Sequence, residues 1–415
     1  MQFSKQRIFI SAGIVLLGAI LFFVFSARPV AAPVLESPLA TTTATSSVPA
    51  SNTETSQTQP VVANPKGNTT PTTAAPVPTV KATSALGRSA PELVRPTGYS
   101  NIDTLGIVST EQFTLRRYMG QKVILLEFWT TSSLTSLHTI PYLNYWYNTY
   151  KDDGLMVVGV HAPQFSFERS KTVVDQVIFS RQIHFPVVID NEYSTWTAYK
   201  NTVWPHRYVI DMSGKIVYEH SGDGAYEATQ AKIMELLSAR AKKLGGSFTV
   251  GKFETPKDAF STDTAQVGSS DAYFGSAKNK NLSGGISNRE GVQVFEPQTD
   301  VALNKIALSG SWNFTKEYAQ NMTENTAILY RYRAKDVFAT LAAEKITKMT
   351  LLLDGKPLSV SDAGADVVFE KGESVSYVKD ARVYHLVTNP SGYGEHVLSL
   401  IPENGGLHVF SLMFQ

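Results

Sequence analysis

The chain has 415 residues, 43% of them hydrophobic, and this length exceeds one compact domain, so we expect two folded units. Its 37 basic and 36 acidic residues give a net charge of +1, which argues against a nucleic-acid partner. The sequence contains no cysteine, which excludes dithiol exchange by this chain alone, disulfide stabilisation and thiolate metal sites.

The N-terminal stretch of residues 1–28 has the pattern of a membrane anchor. Lys5 and Arg7 precede an almost uninterrupted apolar run over residues 8–25. About 18 to 20 apolar residues span a bilayer, and positive charges before the run keep the N-terminus cytoplasmic. We therefore expect a single-pass protein of the cell membrane whose folded domains are extracytoplasmic. A signal peptide cleaved near residues 30–32, followed by secretion, is the alternative.

Residues 29–92 are rich in Thr, Ser, Pro and Ala, with few charges and almost no aromatic residues. A segment of this composition cannot bury a core, so we predict a disordered linker. Such a linker would hold the folded part of the protein away from the membrane.

Residues 93–246 alternate strand and helix patterns, which is typical of an α/β domain. The first elements read as a βαβ unit, and the last strands flank a glycine turn and read as a hairpin. Strands are predicted at 122–129, 155–160, 185–189, 208–211 and 216–220, and helices at 133–150, 170–182 and 225–244.

Residues 247–300 have little periodicity and are predicted to form an irregular linker region. Residues 301–415 then carry short strands separated by Gly, Asn, Asp and Pro, a pattern that indicates an all-β sandwich of the jelly-roll type. Its strands are predicted at 328–333, 349–353, 383–387, 396–401 and 407–414.

The stretch 122–139 is arranged like a redox site without its sulfur atoms. An apolar strand ends at Trp129, and after Thr130 and Thr131 a helix opens near Ser133, where a hydroxyl can cap free backbone N–H groups. A thioredoxin-type site places a Cys-x-x-Cys pair on such a first helical turn, where the dipole stabilises a thiolate. Here the four positions are Ser133-Leu134-Thr135-Ser136.

Motifs from about residue 95 to residue 415 resemble the thioredoxin family of DipZ-type and TlpA-like proteins. In the first domain they are Phe128-Trp129-Thr130, Pro141-Tyr142-Leu143, Phe165-Ser166-Phe167-Glu168, Trp204-Pro205-His206-Arg207 and Gly222-Asp223-Gly224. In the second they are Tyr273-Phe274-Gly275, Leu308-Ser309-Gly310-Ser311-Trp312 and Arg333-Ala334-Lys335-Asp336-Val337. The resemblance implies a thioredoxin-like domain, a carbohydrate-binding-like β-domain, and a place in thiol-disulfide exchange or cytochrome c maturation.

Two departures from the family pattern decide the functional prediction. The family's two cysteines fall on Ser133 and Ser136, and one predicted helix replaces its multi-span membrane domain. Serine cannot cycle between thiol and disulfide. We therefore predict a redox-inactive binding or scaffolding protein with no assigned catalytic residue, cofactor or metal. Participation in thiol-disulfide pathways through a cysteine-bearing partner is the alternative.

The residues around the four-residue site form the candidate peptide-binding cleft. They are Trp129, Thr130, Ser133, Leu134, Thr135, Ser136, Trp204 and Pro205. The resemblance implies that Pro205 is cis and faces the site, where neighbouring backbone could pair with an extended peptide. The alternatives are fold maintenance for Pro205, helix capping for Ser133 and Ser136, and core packing for the tryptophans.

Aromatic residues of the β-domain are candidates for stacking on glycan rings. They are Trp312 and Tyr318, with Tyr332, Tyr384 and Tyr393 as further members, and sandwich core is the alternative for all of them. The histidines at 161, 184, 206 and 220 lack the close paired spacing of metal ligands, so they predict no metal site.

Overall fold

A computed structural model describes residues 86–105, 113–260 and 263–415, which all belong to one compact unit. The predicted anchor at residues 1–28 and most of the predicted linker at 29–92 lie outside these ranges. Among the residues that are described, no helix is both long enough and apolar enough to cross a bilayer.

The first domain contains a six-stranded mixed sheet within the described residues, in the order β1-β4-β3-β2-β5-β6. Its strands are β1 Gly98–Ser100, β2 Val123–Trp129, β3 Leu155–His161, β4 Val187–Ile189, β5 His206–Ile210 and β6 Ile216–Ser221. Its helices are α1 Leu134–Tyr150, α2 Lys171–Ser180, α3 Ser194–Ala198 and α4 Tyr226–Lys243. Strands β2, β3 and β4 are parallel, and β5–β6 is the predicted hairpin. The predicted thioredoxin-like α/β domain is confirmed.

Strand β2 is buried on both faces, as expected of a parallel strand at the centre of an α/β sheet. Val123, Leu125 and Trp129 pack into one hydrophobic cluster with α1. Ile124 and Leu126 pack into a second cluster on the other side, because successive strand side chains point to opposite faces. This packing fixes the carboxyl end of β2, from which the candidate site begins.

The first domain starts before the predicted boundary at residue 93. The Gly87 N–H donates to the Ile216 carbonyl and the Ala90 N–H to the Gly214 carbonyl, both at 2.8 Å. The carboxyl group of Glu92 accepts the Leu115 N–H at 2.6 Å. These residues bond to distant parts of the first domain, which the linker-like local composition does not reveal.

The second domain is all-β, as predicted. Its strands are β7 Ala272–Tyr273, β8 Leu282–Ser283, β9 Gly291–Phe295, β10 Ile306–Phe314, β11 Ala319–Asn321, β12 Ala327–Ala334, β13 Asp336–Ala343, β14 Thr347–Leu353, β15 Lys356–Pro357, β16 Val368–Glu370, β17 Glu373–Val378, β18 Arg382–Thr388, β19 Gly394–Pro402 and β20 Leu407–Phe414. The strand order is β16-β17-β14-β19-β12-β10-β11-β20-β13-β18. Strands β7 to β9 lie within residues 247–300, for which the sequence predicts an irregular linker. Each of these strands has only two to five residues, too few for a periodic pattern to reveal it.

Strand β10 pairs with different strands along its length. Residues 306–309 pair with β12, whereas residues 310–314 pair with β9. The change occurs at Gly310, whose φ of +80° lies in the left-handed region. A Cβ on Gly310 would stand 2.7 Å from the Thr326 side chain. Glycine is therefore required where the strand changes its pairing partner.

Candidate functional site

Ser133 and Ser136 tie the turn after β2 to the first turn of α1. Ser133 is the N-cap residue, and its Oγ accepts the Ser136 N–H at 3.4 Å. The Ser136 hydroxyl in turn accepts the Thr130 N–H at 3.4 Å. Both serines therefore have the hydrogen bonds of a capped helix terminus.

Glu168 holds the same turn from the other side, although it is fully buried. Its carboxyl group accepts the hydroxyl protons of Thr130 at 2.7 Å and Thr131 at 2.6 Å. It also accepts the backbone N–H groups of Gln164 and Phe165, at 2.5 and 2.9 Å. Glu168 lies in a motif of the resemblance, but no local pattern predicts its threonine partners more than 35 positions away.

His161 ends β3 beside the fully buried Trp129, with ring centroids 5.3 Å apart. Burial lowers the pKa of His161 to about 4, against an opposing effect of Glu168, so the imidazole is neutral at pH 7. Neither ring nitrogen has a hydrogen-bond partner among the described residues. Because Trp129 is fully buried, it contributes to the core and presents no surface to a ligand.

An ion pair of Glu127 and Arg207 lies behind the site, with 3.3 Å between the carboxyl oxygen and Nε and both side chains fully buried. Burial raises the pKa of Glu127, and the charge of Arg207 opposes that rise. The Arg207 guanidinium also stands 4.9 Å from the Tyr226 ring centroid and donates to the Gly224 carbonyl at 3.1 Å.

The second domain covers the four-residue site at Leu134. Leu134 is only 5% exposed because it packs against Phe338 of β13 and Met413 of β20. The Thr340 hydroxyl donates to the Ser132 carbonyl at 3.4 Å. Ser136 has no exposed surface, Ser133 is half-buried and Thr135 is exposed. The predicted cleft is therefore not open at Leu134 or Ser136.

His138 on α1 joins three segments at this interface. Its Nδ1 lies 2.7 Å from Asp223, and its Nε2 lies 2.7 Å from the side-chain amide nitrogen of Gln415. Burial raises the pKa of Asp223, but the hydrogen bond and charge of His138, with bonds from Tyr226 and Gly224, lower it overall. The contact with Gln415 fastens the second domain to the first.

The Trp204–Pro205 peptide bond is cis, as the resemblance implies. Pro205 is buried, and its carbonyl accepts the Gly222 N–H at 2.8 Å. Trp204 is half-buried against Trp196, with ring centroids 4.5 Å apart.

Of the glycan candidates, Trp312 cannot stack on a sugar, because it is fully buried and its Nε1–H donates to the Ser309 carbonyl at 2.9 Å. Tyr332 and Tyr384 are core residues as well. Tyr318 is half-buried on His408, with ring centroids 4.3 Å apart. Tyr393 is half-buried and lines a cavity of about 590 Å³. Within the described ranges, no three His, Asp or Glu residues are grouped to hold a metal ion.

The α/β sheet, the cis-proline loop and the four-residue turn define a thioredoxin-like protein with a C-terminal all-β domain. Residues 86–219 match the AhpC/TSA family, and residues 269–414 match the Thioredoxin like C-terminal domain family. Protein DipZ of Mycobacterium bovis is 33% identical over 279 residues, which cover 66% of this chain and 38% of DipZ. Thiol-disulfide oxidoreductase ResA of Halalkalibacterium halodurans is 31% identical over 133 residues, which cover 32% of this chain and 70% of ResA. The chain belongs to the thioredoxin-like family that includes ResA, and it is similar to DipZ over part of the length of that protein.

The match to DipZ does not extend over the whole relative. The chain spans 38% of the length of the DipZ proteins of Mycobacterium bovis and Mycobacterium tuberculosis. The chain contains no cysteine, and positions 133 and 136 are both serine.

Proposed function

We propose that this protein is a membrane-anchored extracytoplasmic binding or scaffolding protein with no thiol-disulfide exchange activity of its own. One observation carries the proposal: the whole chain lacks cysteine. Exchange requires a thiolate that attacks and a sulfur that leaves, and this chain supplies neither. The anchor is the apolar stretch in residues 1–28, which would place both folded domains outside the cytoplasm.

The ligand proposed for the thioredoxin-like part is an extended peptide. The turn at Ser133 is held in shape by Glu168 and by its own helix cap, which supports a binding role for a turn that has no sulfur atoms. Because the second domain covers Leu134 and Ser136 is itself buried, the peptide would enter beside the covered turn.

A glycan bound by the β-sandwich is the second candidate function. The cavity at Tyr393 is also lined by Asp354, Asp362 and His396. One aromatic ring beside several hydrogen-bonding groups suits a polyhydroxylated ring, and the volume is that of a small-ligand site.

Insulin reduction tests the redox part of the proposal. The full chain in detergent, supplied with dithiothreitol, is expected to add nothing to the rate of dithiothreitol alone. The double variant Ser133→Cys with Ser136→Cys serves as the control that restores the missing atoms at the same positions. Clear turnover by the unmodified chain would overturn the proposal.

A further inference from the structure

A cavity of about 450 Å³ opens between the two domains, next to the turn that precedes α1. Thr131 and Leu137 line it from the thioredoxin-like domain, and Phe338 and Val383 line it from the β-sandwich. The wall is largely apolar, with a few charged groups at defined positions. The cavity is thus the open space that remains beside the covered four-residue site.

Most charged groups of this wall already have partners. Arg382 Nη2 pairs with Asp366 at 2.6 Å and Arg382 Nη1 donates to the Val383 carbonyl at 3.0 Å. His385 Nε2 lies 3.2 Å from Asp336. Arg382 is thus paired with Asp366, and His385 with Asp336, so these groups do not need a charged ligand.

Arg181 is different from the other charged residues of the wall. Its backbone is satisfied, because its N–H donates to the Val177 carbonyl at 2.9 Å and its carbonyl accepts the Asn144 side chain at 3.0 Å. Its guanidinium, however, makes no hydrogen bond or ion pair with any residue that the structure describes. Its guanidinium carbon stands 5.7 Å from the centroid of the Phe260 ring. Burial lowers the pKa of Arg181, and the charges of Asp258 and Asp366 oppose that effect without a direct ion pair. A half-buried guanidinium whose N–H donors bond to no described residue therefore lines the cavity.

The chemistry of this wall selects a carboxylate on an apolar stem. A guanidinium presents paired donors that match the two oxygens of a carboxylate, and such bonds are strong where water is partly excluded. Leu137, Val177 and Phe338 supply apolar contacts for the stem. We propose that the interdomain cavity binds an acidic residue of an extended peptide, with Arg181 as the anchor. This inference rests on the peptide-binding function proposed above and names the side chain that the peptide must carry.

The test uses two fluorescein-labelled pentapeptides, Leu-Glu-Leu-Glu-Leu and Leu-Gln-Leu-Gln-Leu, which differ in charge and hardly in shape. Fluorescence anisotropy with the full chain should show at least about tenfold tighter binding of the glutamate peptide, the size expected for a charge-assisted bond. Arg181→Gln should abolish that preference, and Arg181→Lys, which keeps the charge without the fork, should keep part of it. Arg169→Gln is the matched control, because Arg169 lies on the same domain in an exposed pair with Glu192.

Each outcome separates this inference from the proposed function. Equal binding of both peptides, unchanged by Arg181→Gln, would keep a peptide-binding protein but overturn Arg181 as a carboxylate anchor. No binding of either peptide would overturn the cavity as a peptide site, while the insulin result still decides the redox question. If hexanoate displaced the glutamate peptide at a concentration equal to that of the peptide, the cavity would be a site for small free acids. That result would overturn the proposal that it binds a peptide. Melting curves of the variants verify that each is folded.

Discussion

Leu134, the second residue of the four-residue site, packs against Phe338 of the β-sandwich. Leu134 is 5% exposed and Phe338 is 6% exposed, so each side chain covers the other. A thioredoxin-type turn that exchanges disulfides with other proteins has to meet its partner at this place. In this protein the turn meets its own second domain.

Phe338→Ala is expected to lower the free energy of unfolding by about 3–5 kcal/mol, because it opens a cavity at the contact with Leu134. Denaturant unfolding of the full chain measures the effect. Val292→Ala, at an apolar side chain that is 53% exposed on β9, should change stability by less than about 0.5 kcal/mol. A loss for Phe338→Ala no larger than that of the control would mean that the two domains are not packed in solution.

Glu127→Gln should lower the free energy of unfolding by about 3–5 kcal/mol, because it leaves the guanidinium of Arg207 buried without its counter-charge. The double variant Glu127→Leu with Arg207→Met should lose much less stability than the sum of the losses for Glu127→Leu alone and Arg207→Met alone. A double-mutant cycle in urea gives the coupling free energy. Additive losses would show that the two side chains act independently, contrary to the structure.

Acid should destabilise the fold in part through His161. Its folded pKa of about 4 is below the ordinary value of 6.5, so the unfolded chain binds more protons between these pH values. Stability is therefore expected to fall as the pH drops from 6.5 towards 4, by up to about 3 kcal/mol from this residue. His206, whose pKa burial also lowers to about 4, adds to the same slope.

His161→Gln should flatten this pH dependence without removing it, because His206 remains. Urea unfolding at pH 4.5, 5.5 and 6.5 measures the slope. His184→Gln, at an exposed histidine, is the control and should leave the slope as it is. If the slope of His161→Gln matched that of the unmodified chain, the buried neutral imidazole would not be its source.

The double variant Ser133→Cys with Ser136→Cys should form a disulfide within the chain, since the two serines already share one helical turn. Ellman's reagent should find two thiols after reduction and none after air oxidation. The thiol at position 133 should react first, because Ser133 is half-buried whereas Ser136 is fully buried. Each single variant is the control, with one thiol that oxidation does not consume. Two free thiols after oxidation would show that the covered turn cannot reach disulfide geometry.

Local signals predict the elements of the first domain well. The apolar run that ends at Trp129 and the hydroxyl at Ser133 place β2 and the start of α1 correctly. Both features depend on neighbouring residues, namely strand burial and helix capping, so the sequence states them directly.

Contacts between distant residues account for what could not be predicted. Leu134 and Phe338 meet across two domains, and Thr131 and Glu168 meet across a strand and a loop. Trp312 has the same alternating pattern whether its face lies in the core or at a binding surface, and only the packed sandwich shows that it is core. Periodicity along the chain carries no information about which face is later covered.

The strands that cover Leu134 come late in the chain, because β13 and β20 both follow the complete thioredoxin-like domain. Domains generally fold in order of synthesis, at ~5–20 residues per second. During translation, Leu134 therefore lacks its contacts with the second domain for on the order of ten seconds after the first domain has been synthesised. Newly made chains pass through a stage in which this leucine is an apolar spot that a chaperone or another nascent chain can reach.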